Sequence, residues 1–494
     1  MSTTENKIKN IFIYLTPSII SSVLPLLALP IITRFLTPLD FGVAALAIST
    51  TALIVSFLSC GVDAAAQRYY FEYRNNPDDL RALISTTIFF LIFIFVLIVS
   101  PIYWLSGFIA KTVLGSEQYR FAIFVSYING CCTVMVNFYL LLYRNMEKAK
   151  YFSAFTITHN SANTVLTLIL VVWFGYGYMG IIYGSFLSSV LIFAVLFVMF
   201  YKAYPFHFKK HILIDNLKYG IPLIPNVFTS VVYQFFDKYM LSSMASLASV
   251  GVLSIAQNLS GKLFVFMTAL QSTFDPLFMK DMFDRGEEGA ASVGRNFTIF
   301  TYLSIMTVLV AILFGEEIMR IMAPPSYYEA IDVMLILLCG ISIQTFGKIV
   351  GSQLAYIKKA YLSFPITVVG LLVNVGINLA LIPRWQAVGA AMATLMTIMM
   401  MNGLYVLIAQ RGYKIVYEHH ILVPIYVLVF ISTFILIYLR SVEASYFIQY
   451  SFKVFALIAY GVLGVKAEIL TREKMNALFQ IITFRNMDGK WRGA

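Results

Sequence analysis

The stretch "FGVAALAIS" at residues 41–49 returns in altered form as "VGVLSIAQN" at residues 250–258. Three further pairs follow in the same order: "YLTPSI" from Tyr14 with "YGIPLI" from Tyr219, "KAKYFS" from Lys148 with "KKAYLS" from Lys358, and "GIIYGSFL" from Gly180 with "GAAMATLM" from Gly389. The members of the pairs are about 205 to 211 residues apart, which indicates an internal repeat.

The composition indicates what the repeat is built from. Of 494 residues, 60% are hydrophobic and 12% are charged, whereas a soluble globular chain is about 25% charged. The apolar runs extend over roughly 20 residues, the length of a membrane-spanning helix, and lack the alternation over about 10 residues that marks barrel strands. The sequence therefore predicts an all-α polytopic membrane protein.

Fourteen apolar segments define the predicted transmembrane helices: 11–33, 42–62, 83–105, 119–142, 154–174, 178–200, 219–243, 248–272, 297–315, 331–354, 362–382, 387–409, 421–439 and 447–465. Six fall in each repeat, so the two repeats should share one orientation and be related by an axis along the membrane normal. We predict two parallel six-helix lobes, 1–200 and 201–410, two additional transmembrane helices in 411–465, and a cytoplasmic tail, 466–494.

The basic residues predict the orientation. Of 35 lysines and arginines, 25 fall in tails and loops on the side of the N-terminus, 6 fall on the opposite side, and 4 lie within spans. Cytoplasmic loops carry the excess of positive charge, so both termini should be cytoplasmic. The net charge of +11 is thus largely a topology signal and does not indicate nucleic acid binding; anionic membrane lipids are the partners that it favours.

Charged residues inside the spans are the first candidates for function, because a charge in hydrocarbon costs about 2.5 to over 10 kcal/mol. The segment "VVYQFFDKYMLSS" at residues 231–243 contains Asp237 and Lys238. Adjacent residues project about 100° apart on a helix, so the two side chains need different partners. Asp237 is interpreted either as the neutralising partner of a nearby cation or as a coupling site for H⁺ or Na⁺.

Further polar residues recur at helical spacing. Gln344 and Lys348 lie four residues apart in the tenth span, and Asn258 and Lys262 lie four apart in the eighth. Arg34 ends the first span. Together with Lys238, these residues form the predicted substrate-binding set.

Other polar residues are interpreted as structural. Lys453, six residues into the last span, should extend its ammonium group to the membrane interface. His159 in the fifth span should serve in packing or in a helix–helix hydrogen bond, with a proton relay as the alternative. The four cysteines lack the spacing of metal ligands. With no P-loop or other nucleotide-binding motif, we predict no cofactor, no metal and no catalytic residue.

Several motifs resemble a known family. They are "LPLLALPIITRFLTPLDFGVAALAIS" at 24–49, "CGVDAAAQRYYFEY" at 60–73, "LKYGIPLIPN" from Leu217, "DKYML" from Asp237, "VGVLSIAQNL" from Val250 and "AVGAAMAT" at 387–394. They are similar to the polysaccharide transporter family, the Wzx-type flippases of the multidrug/oligosaccharidyl-lipid/polysaccharide exporter superfamily.

The resemblance implies a MATE-like arrangement of the two lobes. It also implies a flippase that moves an undecaprenyl-diphosphate-linked oligosaccharide from the cytoplasmic to the outer leaflet of a bacterial cytoplasmic (inner) membrane. The glycan would serve lipopolysaccharide O-antigen, capsule or exopolysaccharide assembly, with a polymerase or other assembly proteins as partners. A cationic cleft between the lobes suits a diphosphate headgroup, since basic side chains can compensate its charge.

Two other functions are compatible with parts of the sequence. A cation-coupled drug exporter of the same superfamily would share the fold, although its cleft should favour buried acids, and Asp237 is the one acid placed deep in a predicted span. A membrane glycan polymerase would need a sizeable outward segment that presents catalytic groups, whereas the predicted outward loops are short.

The predicted orientation can be tested by cysteine labelling in cells. Cysteines introduced at Ser106 and Ser326 should react with an impermeant reagent from outside, whereas those at Glu287 and Arg472 should react only after permeabilisation. The reversed pattern would overturn the assignment of both termini to the cytoplasm.

Overall fold

The computed structural model describes residues 23–469, and every regular element in this range is helical. The principal helices, α1 to α16, are Val23–Phe35, Pro38–Leu58, Val62–Tyr73, Pro77–Leu114, Arg120–Asn145, Ala149–Leu168, Tyr178–Ala203, Lys210–Gly220, Ile224–Met244, Leu247–Arg285, Ala290–Leu313, Gly315–Met322, Ala330–Tyr356, Ser363–Gln410, His419–Ser441 and Tyr446–Lys466. The predicted all-α class is confirmed.

The structure tests part of the predicted series of membrane-spanning helices. Ten helical segments of the described range are long and apolar enough to cross a membrane. One of them, Leu270–Leu313, joins the end of α10 to α11, and another, Ala360–Gln410, covers α14. The start of the first predicted span, the repeat copy at Tyr14, and residues 470–494 of the predicted tail lie outside the described residues. The count of fourteen stays a prediction.

The backbone breaks inside α14 at the boundary between two predicted spans. Gln386 has φ 45° and ψ −121°, and Pro383 lies just before it. Such backbone angles are not helical, and proline removes one backbone hydrogen bond of a helix. The hydroxyl of Ser249 donates to Gln386 Oε1 at 2.9 Å. This contact holds the break against the start of α10, and the two halves of α14 match the predicted spans 362–382 and 387–409.

The described residues form two compact units. Unit 1 contains residues 23–262, 319–333 and 367–394, and unit 2 contains 263–318, 334–366 and 395–469. A compact unit can include helices of both predicted lobes. The lobe boundaries at 1–200 and 201–410 therefore stay a prediction.

The two copies of the repeat contact each other inside unit 1. A Cβ atom added to Gly42 of α2 would lie 1.8 Å from the carbonyl oxygen of Leu247, and one added to Gly251 of α10 would lie 1.8 Å from that of Pro38. Gly42 and Gly251 occupy equivalent positions in the repeated stretches, as do Pro38 and Leu247. The two helices thus approach backbone to backbone, and only glycine permits this distance.

Further contacts fasten the same end of unit 1. Thr37 and Asp40 form a capping box at the start of α2, in which Asp40 Oδ2 accepts from the Thr37 amide at 2.9 Å. The Tyr327 hydroxyl donates to the Leu36 carbonyl at 2.8 Å, and the Thr33 hydroxyl donates to the Met322 carbonyl at 2.9 Å. The connection between α1 and α2 is therefore held by several hydrogen bonds just before Gly42.

In unit 2, the last two helices pack on α11. The rings of Tyr302 in α11 and Tyr460 in α16 stack at 4.7 Å, and each hydroxyl donates to the backbone carbonyl of the other residue. Helix α15 also contacts α11 and α16. Both additional helices thus pack against α11 within unit 2.

Lys453 does not extend to the interface, so that expectation is wrong. Its side chain is 2% exposed and forms an ion pair with Glu317 of α12. Burial acts to raise the pKa of Glu317, but the hydrogen bond from Lys453 acts against it, and the pKa lies below its usual value. The pair joins α16 to the short helix α12.

The structure shows that one of the two outside labelling sites, Ser106, is unsuitable. Helix α4 continues to Leu114, and Ser106 within it is buried, with 1% of its surface exposed. Gln118, just after α4, and Ser326 are exposed. The outside label should therefore be placed at Gln118 in place of Ser106.

The glycine contact predicts a large effect from a small substitution. Gly42→Ala or Gly251→Ala should lower the free energy of unfolding by about 1–3 kcal/mol, because the added methyl group overpacks a backbone contact. Thermal unfolding of the detergent-purified protein measures this. Gly261→Ala in α10 is the matched control, since no atom lies within 4 Å of its added Cβ, and alanine there should be neutral or stabilising. Equal effects at all three positions would contradict the interpretation.

Candidate functional site

A cavity of about 270 Å³ lies in unit 1 between α1, α6 and α10. Helix α1 contributes an apolar wall that includes Pro25 and Leu29, whereas α6 and α10 contribute polar side chains. The polar lining consists of Asn163, Thr164, Thr167, Asn258 and Lys262. We call this space the α1–α6–α10 cavity. Its walls come from both predicted lobes.

Lys262 and Asn258, the pair predicted from the eighth span, both line this cavity. They lie one turn apart on α10, so their side chains share a face of the helix. No acid of the described residues forms an ion pair with Lys262. The cavity therefore contains an ammonium group whose charge the described protein does not neutralise.

The polar face of α6 was not identified as part of the site from the sequence. Thr167 donates from Oγ1 to Asn163 Oδ1 at 3.3 Å, and Thr164 donates to the backbone carbonyl of Asn160 at 2.9 Å. The spacing of Asn163 and Thr167, four residues apart in an apolar segment, was the available signal. His159 was assigned to packing or a helix–helix hydrogen bond, and it contacts the Ser189 hydroxyl at 3.2 Å.

Asp237 is buried among neutral hydrogen-bond donors. Its side chain is 5% exposed. Asn378 Nδ2 donates to Oδ1 at 2.7 Å, and the Thr394 hydroxyl donates to Oδ2 at 2.6 Å. Asn378 also donates to Asn374 Oδ1 at 2.9 Å. No cation of the described residues lies within ion-pair distance of Asp237, but Asp237 and Lys238 interact electrostatically, so the role of this acid in neutralising a cation stays a prediction.

Lys238 points in a different direction, as its position beside Asp237 requires. It is 9% exposed, and its ammonium group lies 5.2 Å from the centre of the Phe235 ring. A cation over an aromatic face is attracted by the ring electrons, and the attraction grows when water is excluded. Lys238 is not among the residues that line the α1–α6–α10 cavity.

Lys348 belongs to unit 2 and has an acid near it that the sequence analysis missed. Its ammonium group lies 4.6 Å from the centre of the Phe264 ring and interacts electrostatically with Asp275. Asp275 accepts hydrogen bonds from Gln271 at 3.0 Å and from Ser352 at 3.4 Å. The sequence placed residue 275 in a loop, whereas α10 continues through Pro276 to Arg285.

The remaining predicted residues are not assembled with Lys262. Arg34, near the end of α1, is exposed and does not line the cavity, and Gln344 lies half-buried in unit 2. Of the six predicted substrate-binding residues, the α1–α6–α10 cavity contains Asn258 and Lys262. No group of three or more possible metal ligands occurs in the described part of the chain.

Family comparison gives two matches. The model of the family described as "Polysaccharide biosynthesis protein" matches residues 8–280, which is more than half of the 494-residue chain. The MatE family model matches residues 222–380. The first match covers the first repeat and the start of the second, and the second match lies within the second repeat.

Curated relatives are membrane proteins of archaea. An uncharacterized membrane protein of Methanocaldococcus jannaschii is 23% identical over 423 residues, which is 80% of this chain and 82% of that protein. "Probable flippase AglR" of Haloferax volcanii is 23% identical over 296 residues, which is 57% of this chain and 60% of that protein.

Solved structures show the same fold. A structure titled "Lipid II flippase MurJ, inward closed conformation" aligns with a TM-score of 0.71 at 12% identity and covers 93% of this chain and 100% of that one. An inward-facing multidrug resistance MATE transporter aligns with a TM-score of 0.65 at 16% identity and covers 81% of this chain and 97% of that one. The MATE-like fold that the resemblance implies is confirmed, whereas the division into two lobes stays a prediction.

These findings agree with the motifs at residues 24–49 and 60–73, which the family model includes. The chain therefore belongs to the polysaccharide biosynthesis protein family and is a multi-pass transporter of the multidrug/oligosaccharidyl-lipid/polysaccharide exporter superfamily.

Proposed function

We propose that this transporter is a flippase for an undecaprenyl-diphosphate-linked oligosaccharide. It moves this lipid from the cytoplasmic to the outer leaflet by alternating access through the α1–α6–α10 cavity, for O-antigen, capsule or exopolysaccharide assembly. The bacterial cytoplasmic membrane, cytoplasmic termini and a downstream polymerase are parts of the same proposal. The observation that carries it is Lys262, an uncompensated cation in a cavity that also contains carboxamide and hydroxyl groups.

The charge of the substrate explains why Lys262 is present in a membrane helix. An unpaired charge in hydrocarbon costs several kcal/mol, and membrane proteins keep one there chiefly where it meets a ligand or water. A diphosphate is an anion that accepts charge-assisted hydrogen bonds from an ammonium group. Asn258, one turn away, adds a neutral hydrogen-bonding group for the same headgroup.

The polyprenyl tail needs no polar cavity. Leu27, Ile31 and Phe35 on α1 are large, apolar and exposed, while Leu26 and Leu29 on the same helix line the cavity. Helix α1 can thus border the cavity on one face and lipid on another. In the proposed mechanism the tail stays in lipid beside α1 while the headgroup occupies the cavity.

The relatives support this choice of substrate class. The name of the Haloferax volcanii relative describes a probable flippase, and the MurJ structure is titled as a lipid II flippase. Both descriptions name a flippase. We assign the same activity to this chain.

Other polar residues have separate roles in the proposal. Arg34, Lys238, Gln344 and Lys348 contact the headgroup at other stages of its passage. Lys348 lies near Asp275, so an anion at Lys348 must compete with that carboxylate. For this reason we assign the first phosphate contact to Lys262.

Asp237 is proposed as the coupling site for a monovalent cation, H⁺ or Na⁺. The carboxylate is buried without an ion pair, and Asn378 Oδ1 beside it has no hydrogen-bond partner among the described residues. A bound proton or sodium ion would compensate the charge, and sodium takes oxygen ligands of the kind gathered here. Loading and release of the ion would then bias the two conformations, since a ligand shifts an equilibrium by its differential affinity.

A cation-coupled drug exporter is the second candidate, and one observation favours it. Asp275 is a second acid inside a membrane helix, besides Asp237. Acids suit cationic drugs, and the MatE model matches residues 222–380. Transport assays with a lipid-linked sugar and with a cationic dye separate the two functions.

Deletion and complementation test the flippase proposal. Loss of the protein should cause a lipid-linked oligosaccharide to accumulate facing the cytoplasm. In the complemented strain, Lys262→Ala should lose most surface glycan, whereas Lys262→Arg should retain it, because charge is the required property. Abundance in the membrane must be measured for each variant. Normal export by Lys262→Ala at normal abundance would refute the cationic site.

Coupling at Asp237 is tested in proteoliposomes. Asp237→Asn keeps the size of the side chain but removes its charge, so flipping should no longer respond to an imposed Na⁺ or pH gradient. The wild-type response identifies the ion. Asp275→Asn is the matched control and should keep the response. A gradient response that survives in Asp237→Asn places the coupling elsewhere.

A further inference from the structure

We infer that the face of α6 formed by Asn163, Thr164 and Thr167 is a sugar-binding subsite. It contacts the sugar that is joined directly to the diphosphate and distinguishes a glycosylated carrier from the bare carrier. The inference rests on the proposed function, because it assigns the phosphate contact to Lys262. It adds a specificity site on a helix of the first predicted lobe.

The orientation of the Asn163 amide supports this assignment. Thr167 donates to Asn163 Oδ1 at 3.3 Å, so the carbonyl side of the amide already has a partner. No hydrogen bond from Asn163 Nδ2 to the described residues is present, and the side chain is half-buried at the cavity wall. The amide therefore presents its NH₂ group to the occupant of the cavity. Sugar hydroxyl and ring oxygens accept such hydrogen bonds.

Thr164 can accept a hydrogen bond from a ligand, whereas Asn163 donates one. Its hydroxyl donates to the Asn160 carbonyl at 2.9 Å, which uses its one proton. The oxygen lone pairs that remain can accept from a ligand hydroxyl. A donor at Asn163 and an acceptor at Thr164 are thus adjacent on α6 and both line the cavity. Because adjacent side chains project about 100° apart, they suit two different groups of the same sugar.

The apolar wall formed by α1 fits the C–H faces of a sugar ring. Pro25, Leu26 and Leu29 of α1 line the same cavity and present only carbon atoms from their side chains. A pyranose ring has C–H faces as well as hydroxyl edges, so one apolar wall and one polar wall suit it. Ligand sites commonly combine mostly apolar walls with a few placed polar groups.

The α6 face is also held in position by packing. A Cβ atom added to Gly184 of α7 would lie 2.3 Å from Thr167 Oγ1, so α7 approaches the Thr167 side chain as closely as glycine allows. The residue that orients Asn163 is thereby fixed against a neighbouring helix. A preorganised polar group loses less conformational entropy on binding a ligand.

Binding of bare and glycosylated carrier lipids to the full-length, detergent-purified protein tests the inference. The probes are undecaprenyl diphosphate and undecaprenyl diphosphate that carries one N-acetylglucosamine or one galactose. Wild-type protein should bind at least one glycosylated probe more tightly than the bare one. Asn163→Leu should weaken the preferred glycosylated probe about tenfold, which is ~1.4 kcal/mol and the size of one neutral hydrogen bond, and should leave the bare probe within about twofold.

Two further variants complete the design. Lys262→Ala should weaken both probes, because phosphate is common to them, and Asn402→Leu on α14 in unit 2 should weaken neither. Equal weakening of both probes by Asn163→Leu, or no weakening, would overturn the sugar subsite while leaving the phosphate site intact. Failure of the wild-type protein to bind either probe would instead overturn the proposed function and, with it, the subsite.

Discussion

The backbone contact between α2 and α10 is the constraint on which the geometry of unit 1 depends. At Gly42 and at Gly251 the facing helix comes so close that an added Cβ atom would collide with one of its carbonyl oxygens. Because the two glycines are equivalent in the repeat, the contact relates the two copies symmetrically at this point. Lys262 lies eleven residues beyond Gly251 on α10, which is about 16 Å along a helix. Phe41, beside Gly42, lines the same cavity as Lys262, so the glycine contact fixes the positions of α2 and α10 along its wall.

The buried ionisable residues of the spans are stabilised by different kinds of partner. Asp237 is stabilised by amide and hydroxyl donors, Lys453 by a carboxylate, and Lys238 by an aromatic ring. Each of these groups has a hydrogen-bonding, charged or aromatic partner inside the described protein. Lys262 lacks one, and it is the residue that lines a cavity. An uncompensated charge beside open space is the arrangement in which a ligand contributes most, because the ligand removes a cost that the protein leaves in place.

The sequence was sufficient for features that depend on local pattern. Helical class, the positions of the apolar segments and the repeat follow from hydrophobic runs and from residue spacing, and the break at Gln386 falls between two predicted spans. The eighth span was predicted to end at residue 272 with Pro276 in the following loop, whereas α10 continues past this proline to Arg285. Proline in a membrane helix is tolerated where neighbours satisfy the freed backbone groups, and those neighbours are not visible in a local window.

The sequence also did not predict contacts between residues that are distant along the chain. Asp237 meets Asn378 and Thr394, which lie 141 and 157 residues away, and Lys453 meets Glu317, which lies 136 residues away. Spacing shows which face of a helix is polar but not which helix faces it. For the same reason Asn163 was not assigned to the site from the sequence, although α6 and α10 line one cavity. The partner of a buried polar group is a property of the fold.

The placement of these groups also links binding to movement. Lys262 lies on a helix of the second predicted lobe, and Asn163 lies on a helix of the first. A headgroup held by both would bridge the lobes, phosphate on one side and sugar on the other. Separation of the lobes would then break one set of contacts before the other, and the affinity of the cavity would fall as it opens. In the proposed mechanism, the same displacement that gives the headgroup an exit therefore also weakens its binding, so release does not require a separate step.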